Sequence, residues 1–313
     1  NAAQAAVGRT GGLFALADAA PLEPHIAQRW PSAAGELLGR GVDLAALPMD
    51  HGVAPVALRG GFRAADERWR RFHRQRLAGY ASDRNQPDQG RESGLSPYLH
   101  FGHISPHQVV GELLAAEGWT RARITGRPTG SRAGWWDLPA DHEAFLDQVI
   151  TWRELGHVFC FHRPDDHDTF DALPDWARAT LLEHAGDPRE HLYTLEQFEA
   201  ARTHDELWNA AQTELVREGK IHNYLRMLWG KKILHWTPGP QEALSIMVEL
   251  NNRYALDGRD PNSYSGIFWV LGRHDRPWGP ERPVFGKVRY MSCHAARRKL
   301  RLRGYLARHG AVE

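Results

Sequence analysis

Three tryptophans, an arginine, two asparagines and an aspartate stand at spacings that suit electron transfer or the stabilisation of charge. In chain order they are Trp208, Arg226, Trp229, Trp236, Asn251, Asn252 and Asp257. Tryptophan is large and easily oxidised, so a row of tryptophans can pass electrons or can simply fill a core. From residue types alone the core interpretation is the more common one, and both stay open.

The helix predicted over 220–236 places these residues relative to one another. At a rise of 1.5 Å per residue, Trp229 and Trp236 share one face and lie about 10 Å apart along the axis. Arg226 lies on a neighbouring stripe beside apolar residues, where its charge needs a partner or must reach water. Asp257, which follows the next predicted helix, is the natural partner.

A run of positive charge near the end of the sequence points to a different chemistry. Positions 282–312 contain no Asp or Glu. The basic residues there, which we call the basic tract, are Arg282, Lys287, Arg289, Arg297, Arg298, Lys299, Arg301, Arg303 and Arg308, with Tyr290 and Tyr305 between them. A solvated helix face is also rich in one charge, but the lack of acids over the whole stretch favours binding to a nucleic-acid backbone.

Length and composition restrict the class of protein. With 313 residues, 42% hydrophobic and 25% charged, the chain has the composition of a globular protein with one large domain or two packed subdomains. It has no apolar run of membrane-spanning length and no export signal at its start. Cys160 and Cys293 are too few for an iron–sulfur cluster or a disulfide framework and suit a reducing cytoplasm. We find no convincing set of metal ligands.

The elements that must position these residues are helices. Apolar residues recur at helical spacing over 64–80, 142–162, 205–218, 220–236 and 240–254. Strand-length alternation, a GxGxxG or Walker sequence and internal repeats are absent. We predict an all-α domain over 61–313, as one body or two helical subdomains, with long irregular connections near 81–97, 122–141 and 257–285. Residues 1–60, rich in Ala, Gly and Pro, are predicted to be a linker or the remnant of another domain.

Four longer segments carry a more specific pattern of residues. They are SGLSPYLHFGHIS at 93–105, GKIHNYLRMLWGKKILHW at 219–236, NNRYALDGRDPN at 251–262 and ERPVFGKVRYM at 281–291. In these segments the sequence resembles DNA photolyases and cryptochromes, the class II branch in particular, and the resemblance runs from about Leu47 to Leu306. It implies an all-α domain that holds FAD in a U shape and transfers an electron, driven by light, from reduced flavin to a cyclobutane pyrimidine dimer in DNA.

The resemblance does not cover the amino-terminal α/β antenna domain of these enzymes, so we expect none in this chain. It implies a monomer whose partner is DNA that contains pyrimidine dimers. Whether an antenna protein joins in trans stays open.

Carried over position by position, the resemblance assigns one segment to the FAD phosphates. Ser93, Leu95 and Ser96 match the residues whose backbone and hydroxyl groups hold them, and Tyr80 is expected nearby. Hydroxyl and backbone N–H groups beside a glycine are also chemically suited to an anion. A plain helix N-cap is the alternative interpretation of the same residues.

The resemblance assigns Arg226 and Asp257 to an ion pair beside the isoalloxazine ring of FAD. A cation there stabilises an added electron, and the carboxylate fixes the position of the cation. Asn251 matches the residue that faces flavin N5, with a helix-end cap as its alternative role.

The three tryptophans match the electron-transfer triad of the class II enzymes. The resemblance implies that Trp229 lies nearest the flavin, followed by Trp208 and then by Trp236 at the surface. Agreement at three positions favours the electron-transfer interpretation over core filling.

A third group of residues matches the site that binds the lesion. Trp152 and Trp269 match aromatic residues that flank a flipped dimer, and Met227 matches a residue that contacts it. Stacking suits an extruded pair of adjacent pyrimidines, because extrusion costs a few kcal/mol and the dimer is already poorly stacked. The residues that match positions filling the gap in the duplex or holding phosphates are Arg276, Trp278, Arg289 and Arg298.

Gln148 departs from the pattern, because many photolyases have a glutamate there that contacts the dimer. Glutamine donates a hydrogen bond but cannot donate a proton or carry charge. Asp147 is adjacent but is expected to point about 100° away on a regular helix. Repair is therefore expected to be slower, or the chain belongs to a subgroup that functions without the acid.

Two functions from different classes remain. The first is repair of cyclobutane pyrimidine dimers, favoured by the aromatic residues and the basic tract. The second is a cryptochrome-like blue-light receptor, which the change at Gln148 and the missing antenna domain keep open. A structural DNA-binding helical domain is a distant third. Repair of 6–4 photoproducts is not predicted, since no histidine acid can be assigned at the lesion.

Overall fold

The structure is a computed structural model that describes residues 23–30, 43–124 and 133–310. The chain divides into two units, Asn1–Gly52 and Val53–Glu313. The described residues of the first unit form a short helix, α1 (Pro24–Arg29), and a 3₁₀ turn, Leu44–Ala46. Much of the stretch 1–60 lies outside the described residues, so its interpretation as a linker or remnant stays a prediction.

The regular secondary structure among the described residues of the second unit is helical. Its α-helices are α2 (Phe62–Gln75), α3 (Tyr80–Asp83), α4 (Ser96–His100), α5 (Pro106–Ala116), α6 (Ala140–Leu146), α7 (Arg153–His162), α8 (Asp175–Glu183), α9 (Leu195–Glu199), α10 (Glu206–Glu218), α11 (Asn223–His235), α12 (Pro240–Tyr254), α13 (Pro261–Val270), α14 (Cys293–Lys299) and α15 (Arg303–His309). A π-helix, Asp147–Trp152, joins α6 to α7, and 3₁₀ turns lie at Pro87–Gln89, Arg121–Arg123 and Phe170–Ala172. Strand-like pairing among the described residues is limited to one bridge, Arg282 to Gly286. The predicted all-α class is confirmed.

The helices predicted from periodicity are present, with adjusted ends. Helix α12 has the predicted bounds, and α10 and α11 begin and end within three residues of the prediction. The stretch predicted as one helix over 64–80 breaks after Gln75, and Gly79 adopts a left-handed φ of 82° just before α3. A glycine permits that conformation without the steric cost of a Cβ.

The prediction that 257–285 is an irregular connection is wrong, because helix α13 lies within it. Asp260 caps the helix by accepting a hydrogen bond from the Asn262 N–H at 2.9 Å, and Pro261 occupies the first turn. Helix α13 packs closely along α7, where a Cβ on Gly156 would lie 2.9 Å from the Pro261 carbonyl oxygen. Serine and glycine within α13 weaken its helical propensity, so packing against α7 determines the helix.

The described part of the second unit contains two hydrophobic cores. The first lies among α2 to α6 and the π-helix and centres on Trp69, Phe72 and Phe145. The second is larger, extends from α7 to α15, and includes Trp208 and Phe268. No helix in the described residues is both long and apolar enough to span a membrane.

Polar contacts join the residues of the two cores. The Asp88 carboxylate accepts hydrogen bonds from the backbone N–H groups of Gly304 and Tyr305, at 2.8 and 2.6 Å, at the start of α15. His100 Nδ1 lies 3.1 Å from Asp260 Oδ2, between α4 and the start of α13. These contacts hold α4 and its preceding segment against α13 and α15.

Candidate functional site

The predicted tryptophan row is assembled by α10 and α11. Trp208 and Trp229 are buried, and Trp208 Nε1–H donates to the Trp229 carbonyl oxygen at 3.0 Å. Trp229 Nε1–H donates to Oε1 of the buried Gln212 at 2.9 Å. The rings of Trp208 and Trp236 lie 6.1 Å apart between centroids. Trp208 thus contacts both other tryptophans, and hydrogen bonds fix the indoles of Trp208 and Trp229 inside an apolar core.

The expectation that Trp236 lies at the surface is wrong, because its side chain is only 4% exposed. The rings of Tyr193 and His204 cover it edge-on, with centroids 5.8 and 4.8 Å from its own. The Tyr193 hydroxyl is hydrogen-bonded to His204 Nδ1 at 2.7 Å, and the Tyr193 N–H donates to the Trp236 carbonyl at 3.0 Å. The exposed end of the aromatic row is therefore formed by Tyr193 and His204.

Arg226 and Asp257 lie together beside this row. Arg226 Nη2 is 3.4 Å from Asp257 Oδ1, and the two side chains are 22% and 13% exposed. Asn251, on the last turns of α12, is buried, and its Nδ2–H donates to Asn252 Oδ1 at 3.3 Å. Because the Asn251 side chain bonds to a neighbouring side chain, the helix-end cap gains no support. The approach of α11 to the end of α12 brings the cation and the amide of the predicted flavin site onto adjoining helices.

The segment predicted to hold phosphates lies against α2. Arg68 Nε–H donates to the Ser93 carbonyl at 2.8 Å, and Ser93 Oγ accepts from the Leu95 N–H at 3.4 Å. Gly94 has a φ of 65°, and a Cβ there would overlap the Arg68 guanidinium. The Leu95 side chain is buried in the first core, and Ser96 is exposed at the start of α4. Glycine is thus required for the close contact of this turn with Arg68.

Positive charge accumulates around the same turn. Burial lowers the pKa of Arg76, and the guanidinium groups of Arg68 and Arg71 lower it further, while Glu92 opposes them. Arg91 Nη1–H donates to the Ala78 carbonyl at 2.9 Å, just before Tyr80. Concentrated cationic side chains around a serine–glycine turn are typical of an anion-binding site.

Tyr80 itself lies in the first core. Its ring packs edge-on against Phe72 and Phe145, with centroids 5.6 and 5.7 Å away, and burial raises the pKa of its phenol. The Arg84 guanidinium lies 5.6 Å from the Tyr80 ring centroid. The aromatic ring therefore supports the wall of the site from within the core.

Two buried groups near this turn lack hydrogen-bond partners. They are Glu92 Oε2 and both ring nitrogens of His222, the residue that precedes α11. Burial lowers the pKa of His222, while the charges of Glu92 and Glu214 and the Arg84 backbone oppose that shift. Buried polar atoms are rarely left without partners in folded proteins, so these atoms point to a polar ligand. The hydroxyl and amide groups of FAD satisfy such a requirement, and the residues present therefore fit this cofactor.

The π-helix changes the surroundings of Gln148. Asp147 Oδ2 accepts hydrogen bonds from Gln148 Nε2–H at 3.3 Å and from Trp152 Nε1–H at 3.1 Å. The expectation that Asp147 points away from Gln148 is wrong, because the two side chains bend toward each other and meet. The i, i+5 spacing of the π-helix also brings Trp152 to the side of Asp147. Position 148 has no carboxylate, but the neighbouring residue Asp147 supplies one, and it orients the Gln148 amide and the Trp152 indole.

The predicted lesion-site residues of α13 and the following loop form a stack of rings and cations. The Arg289 guanidinium carbon lies 5.2 Å from the Trp269 ring centroid and 4.1 Å from that of Trp278. Arg276 lies over Trp278 at 4.4 Å. Trp152 immediately precedes α7, which packs along α13, so the two predicted lesion-flanking tryptophans are carried by adjoining elements. Met227, on α11, is half-buried against the second core.

The basic tract is only partly available to an external partner. Its ion-paired members include Lys287 with Glu281, Arg289 with Asp275, Arg297 with Glu206, and Arg308 with Asp88. Arg298, Arg301 and Arg303 are exposed and form no ion pair with any residue that the structure describes. The free positive charge is therefore concentrated around α14 and the start of α15.

Several residues of the site were not identified from the sequence. They are Gln212, His222 and Asp275, whereas Asp147 was noted only as pointing away from the site. Asp275 precedes Arg276 and Trp278 in the segment RHDRPW, and that proximity was a usable signal. The contacts of Gln212 and His222 depend on helices distant in sequence and carry no local signal. Within the described ranges, no group of three or more His, Cys, Asp or Glu residues could hold a metal ion.

Comparison with known proteins adds sequence relatives, although no family model matches the chain. It is 44% identical over 238 residues to the deoxyribodipyrimidine photo-lyase of Oryza sativa, a match that covers 75% of this chain and 43% of the relative. It is 42% identical over 254 residues to that of Methanothermobacter thermautotrophicus, which covers 81% and 52%. The chain spans about half the length of the curated relatives that it matches.

Solved structures share the fold. The cryptochrome of Synechocystis has a TM-score of 0.55 at 17% identity, covering 84% of this chain and 48% of that one. A bacterial class III photolyase from Agrobacterium tumefaciens has a TM-score of 0.51 at 19% identity, covering 70% and 40%. At such identities the structures show the fold alone. The named relatives, together with the shared fold, are the basis for the family placement proposed below.

We expect Asp257→Asn to lower the free energy of unfolding by about 1–2 kcal/mol, because it leaves a half-buried guanidinium without its anion. Adding Arg226→Met to this variant should recover part of the loss, since the unpaired charge is then gone. Urea unfolding of the two single variants and the double variant measures the coupling. The pairing would be contradicted if the loss in free energy of unfolding of the double variant equalled the sum of the losses of the two single variants.

Proposed function

We propose that this chain, as a member of the photolyase/cryptochrome family, is the catalytic part of a class II deoxyribodipyrimidine photo-lyase that repairs cyclobutane pyrimidine dimers with light. The observation that carries the proposal is the composition of α11. This one helix holds the cation of the predicted flavin site, Arg226, the predicted dimer contact, Met227, and the first tryptophan of the row, Trp229. Such an arrangement suits an enzyme that must couple a cofactor, an electron path and a DNA lesion.

FAD, when bound in its reduced form and excited by light, supplies the electron that opens the dimer. We assign its diphosphate to the Ser93–Ser96 turn, with Arg68 and Arg76 supplying positive charge. Arg226, fixed by Asp257, stabilises negative charge on the flavin ring, and Asn251 offers an amide to the ring nitrogen N5. The unpartnered polar atoms of Glu92 and His222 support this placement.

In the proposed electron path, Trp229, Trp208 and Trp236 pass electrons to the cofactor site when the flavin is oxidised. The indoles of Trp229 and Trp208 are held in place by Gln212 and by the α11 backbone, so little rearrangement accompanies a change of charge. The surrounding core excludes water from the row, and Tyr193 and His204 close its outer end.

In the proposed lesion site, Trp152 and Trp269 stack on the extruded dimer and Met227 fills the space beside it. The Gln148 amide has a second N–H beyond the one donated to Asp147, and we assign that N–H to a dimer carbonyl oxygen. Arg298, Arg301 and Arg303 are exposed and suit backbone phosphates.

The light-receptor alternative is not favoured, since the curated relatives reported above are named photo-lyases. The carboxylate of Asp147 also orients the Gln148 amide, so the lack of a glutamate at position 148 is a weaker argument against repair than the sequence suggested. A monomer in the cytoplasm remains our expectation for the working state.

The direct test of the proposal is illumination of the flavin-loaded, reduced protein with a duplex that carries one thymine dimer. We expect dimers to be split under blue light and to persist in the dark. The repair function would be contradicted if the reduced, flavin-loaded protein split no dimers and bound damaged and undamaged duplexes equally.

Trp229→Phe should slow the light-driven reduction of bound oxidised flavin by more than about tenfold, the effect of only ~1.4 kcal/mol of added barrier. Phenylalanine keeps an aromatic ring in the core but removes the easily oxidised indole. The matched control is Trp69→Phe, which removes a buried indole from the first core. Equal rates for the two variants, followed by flavin absorbance, would show that the tryptophans only fill the core.

Gln148→Glu should raise repair modestly and make its rate pH-dependent. The new carboxylate replaces an amide that lies 3.3 Å from Asp147 Oδ2. Two carboxylates this close share a proton, and the pKa at which this shared proton is lost is raised. That proton is bound below the raised pKa and can be donated to the dimer, so repair by the variant should increase as the pH falls toward about 5–6.

Repair rates across pH check this prediction, with the double variant Gln148→Glu, Asp147→Asn as the control. Removing the second carboxylate lowers the pKa of the carboxyl introduced at position 148 again and should move the rise to more acidic pH. A flat pH profile for Gln148→Glu would contradict the sharing of a proton.

A further inference from the structure

One carboxylate, that of Asp275, lies at the centre of the stacked residues around Trp278. Asp275 Oδ1 accepts hydrogen bonds from Trp278 Nε1–H at 3.1 Å, Arg289 Nη2–H at 3.1 Å and the Arg276 backbone N–H at 2.9 Å. Its Oδ2 accepts from Arg289 Nε–H at 2.9 Å. The guanidinium is thus held in the bidentate geometry that gives strong and directional pairing.

The Asp275 side chain is 7% exposed, whereas that of Arg289 is 38% exposed. Burial alone raises the pKa of this carboxyl, but the hydrogen bonds from Arg289, Trp278 and Arg276 outweigh burial and leave the pKa below its ordinary value. The carboxylate is therefore ionised and saturated with donors. The Asp275 carboxylate holds the stack from its buried side through Arg289 Nε and Nη2, whereas the Arg289 side chain remains partly exposed.

Through Arg289 the same carboxylate reaches Trp269. Arg289 is in contact with both indole rings, so Trp278 and Trp269 are linked by one cation. On the Trp269 side, the buried Lys231 donates to the Val270 carbonyl and its Nζ lies 5.5 Å from the Trp269 ring centroid. Lys231 and Arg289 both contact the Trp269 ring, and Arg289 and Arg276 both contact the Trp278 ring.

The backbone that carries Asp275 is also constrained. His274 adopts a φ of 59°, an unusual conformation for a residue with a Cβ, and Gly272 has a φ of 114°. The Trp278 N–H donates to the Lys287 carbonyl at 2.8 Å, which ties the loop to the segment before Arg289. Strained backbone persists when surrounding contacts hold it, and it is common where a binding surface is formed in advance.

We propose that Asp275 is a positioning residue that assembles Trp269, Trp278, Arg276 and Arg289 into one preformed surface for recognising dimer-containing DNA. The inference rests on the proposed function. Without the carboxylate, Trp278 and Arg289 lose their shared acceptor, and Arg289 becomes free to pair with any nearby phosphate. Affinity for the lesion should then fall, while affinity for undamaged duplex stays the same or rises, because a negative charge has been removed.

The test measures dissociation constants in the dark for a duplex with one thymine dimer and for the same duplex undamaged, using the flavin-loaded protein. Asp275→Asn should reduce the ratio of the two affinities by about tenfold, the effect of losing one hydrogen bond to a charged group. The charge-matched control is Asp175→Asn, which removes an exposed carboxylate paired with Arg178 and should leave the ratio unchanged.

A second variant keeps the test independent of folding defects. Trp278→Phe retains a ring against Arg289 but removes the Nε1–H that donates to Asp275, and it should reduce the ratio in the same direction. Because both changes act through one stack, the double variant should discriminate no worse than Asp275→Asn alone. A general loss of structure would instead weaken binding to both duplexes equally.

The outcomes distinguish the proposed repair function from the inference about Asp275. Equal affinity of the unsubstituted protein for the two duplexes would overturn the proposed function and this inference with it. Selective binding by the unsubstituted protein that persists in Asp275→Asn and in Trp278→Phe would overturn this inference alone. Loss of selectivity in both variants, with Asp175→Asn unaffected, is the result expected.

Discussion

A charged or polar side chain that is withdrawn from water must find a partner inside the protein, and this constraint organises the whole site. Arg226 is held by Asp257, and Arg289 is held by Asp275. Asp147 plays the same part for the Trp152 indole. In each case a carboxylate fixes a group that is proposed to meet the cofactor or the DNA, so the partners that make burial tolerable also set the geometry of the site.

Helix α11 connects these separate arrangements. One of its faces enters the tryptophan row through Trp229, and Lys231 contacts the stack at Trp269. His222, just before its first turn, carries buried ring nitrogens that still lack partners. A rigid helix that carries residues of both the proposed cofactor site and the proposed DNA site allows short distances between the two. That arrangement explains why so many chemically unusual residues occur within a short stretch of the sequence.

Features that depend on local pattern were predictable from the sequence. Periodicity identified α10, α11 and α12, and the need of a buried arginine for a partner identified Asp257. Features that depend on distant packing were not. Helix α13 forms because α7 offers Gly156 as a contact, and Trp236 is buried because Tyr193 and His204 cover it. The contact between Asp147 and Trp152 was missed because an α-helix was assumed, in which residues five apart do not lie on the same side.

The most direct measurement is a crystal structure of the protein with FAD and a duplex that carries a thymine dimer. The account predicts the flavin ring against the Arg226–Asp257 pair, its diphosphate at the Ser93–Ser96 turn, and the dimer extruded between Trp152 and Trp269. A flavin bound away from that ion pair, or a dimer that remains stacked within the duplex, would contradict it.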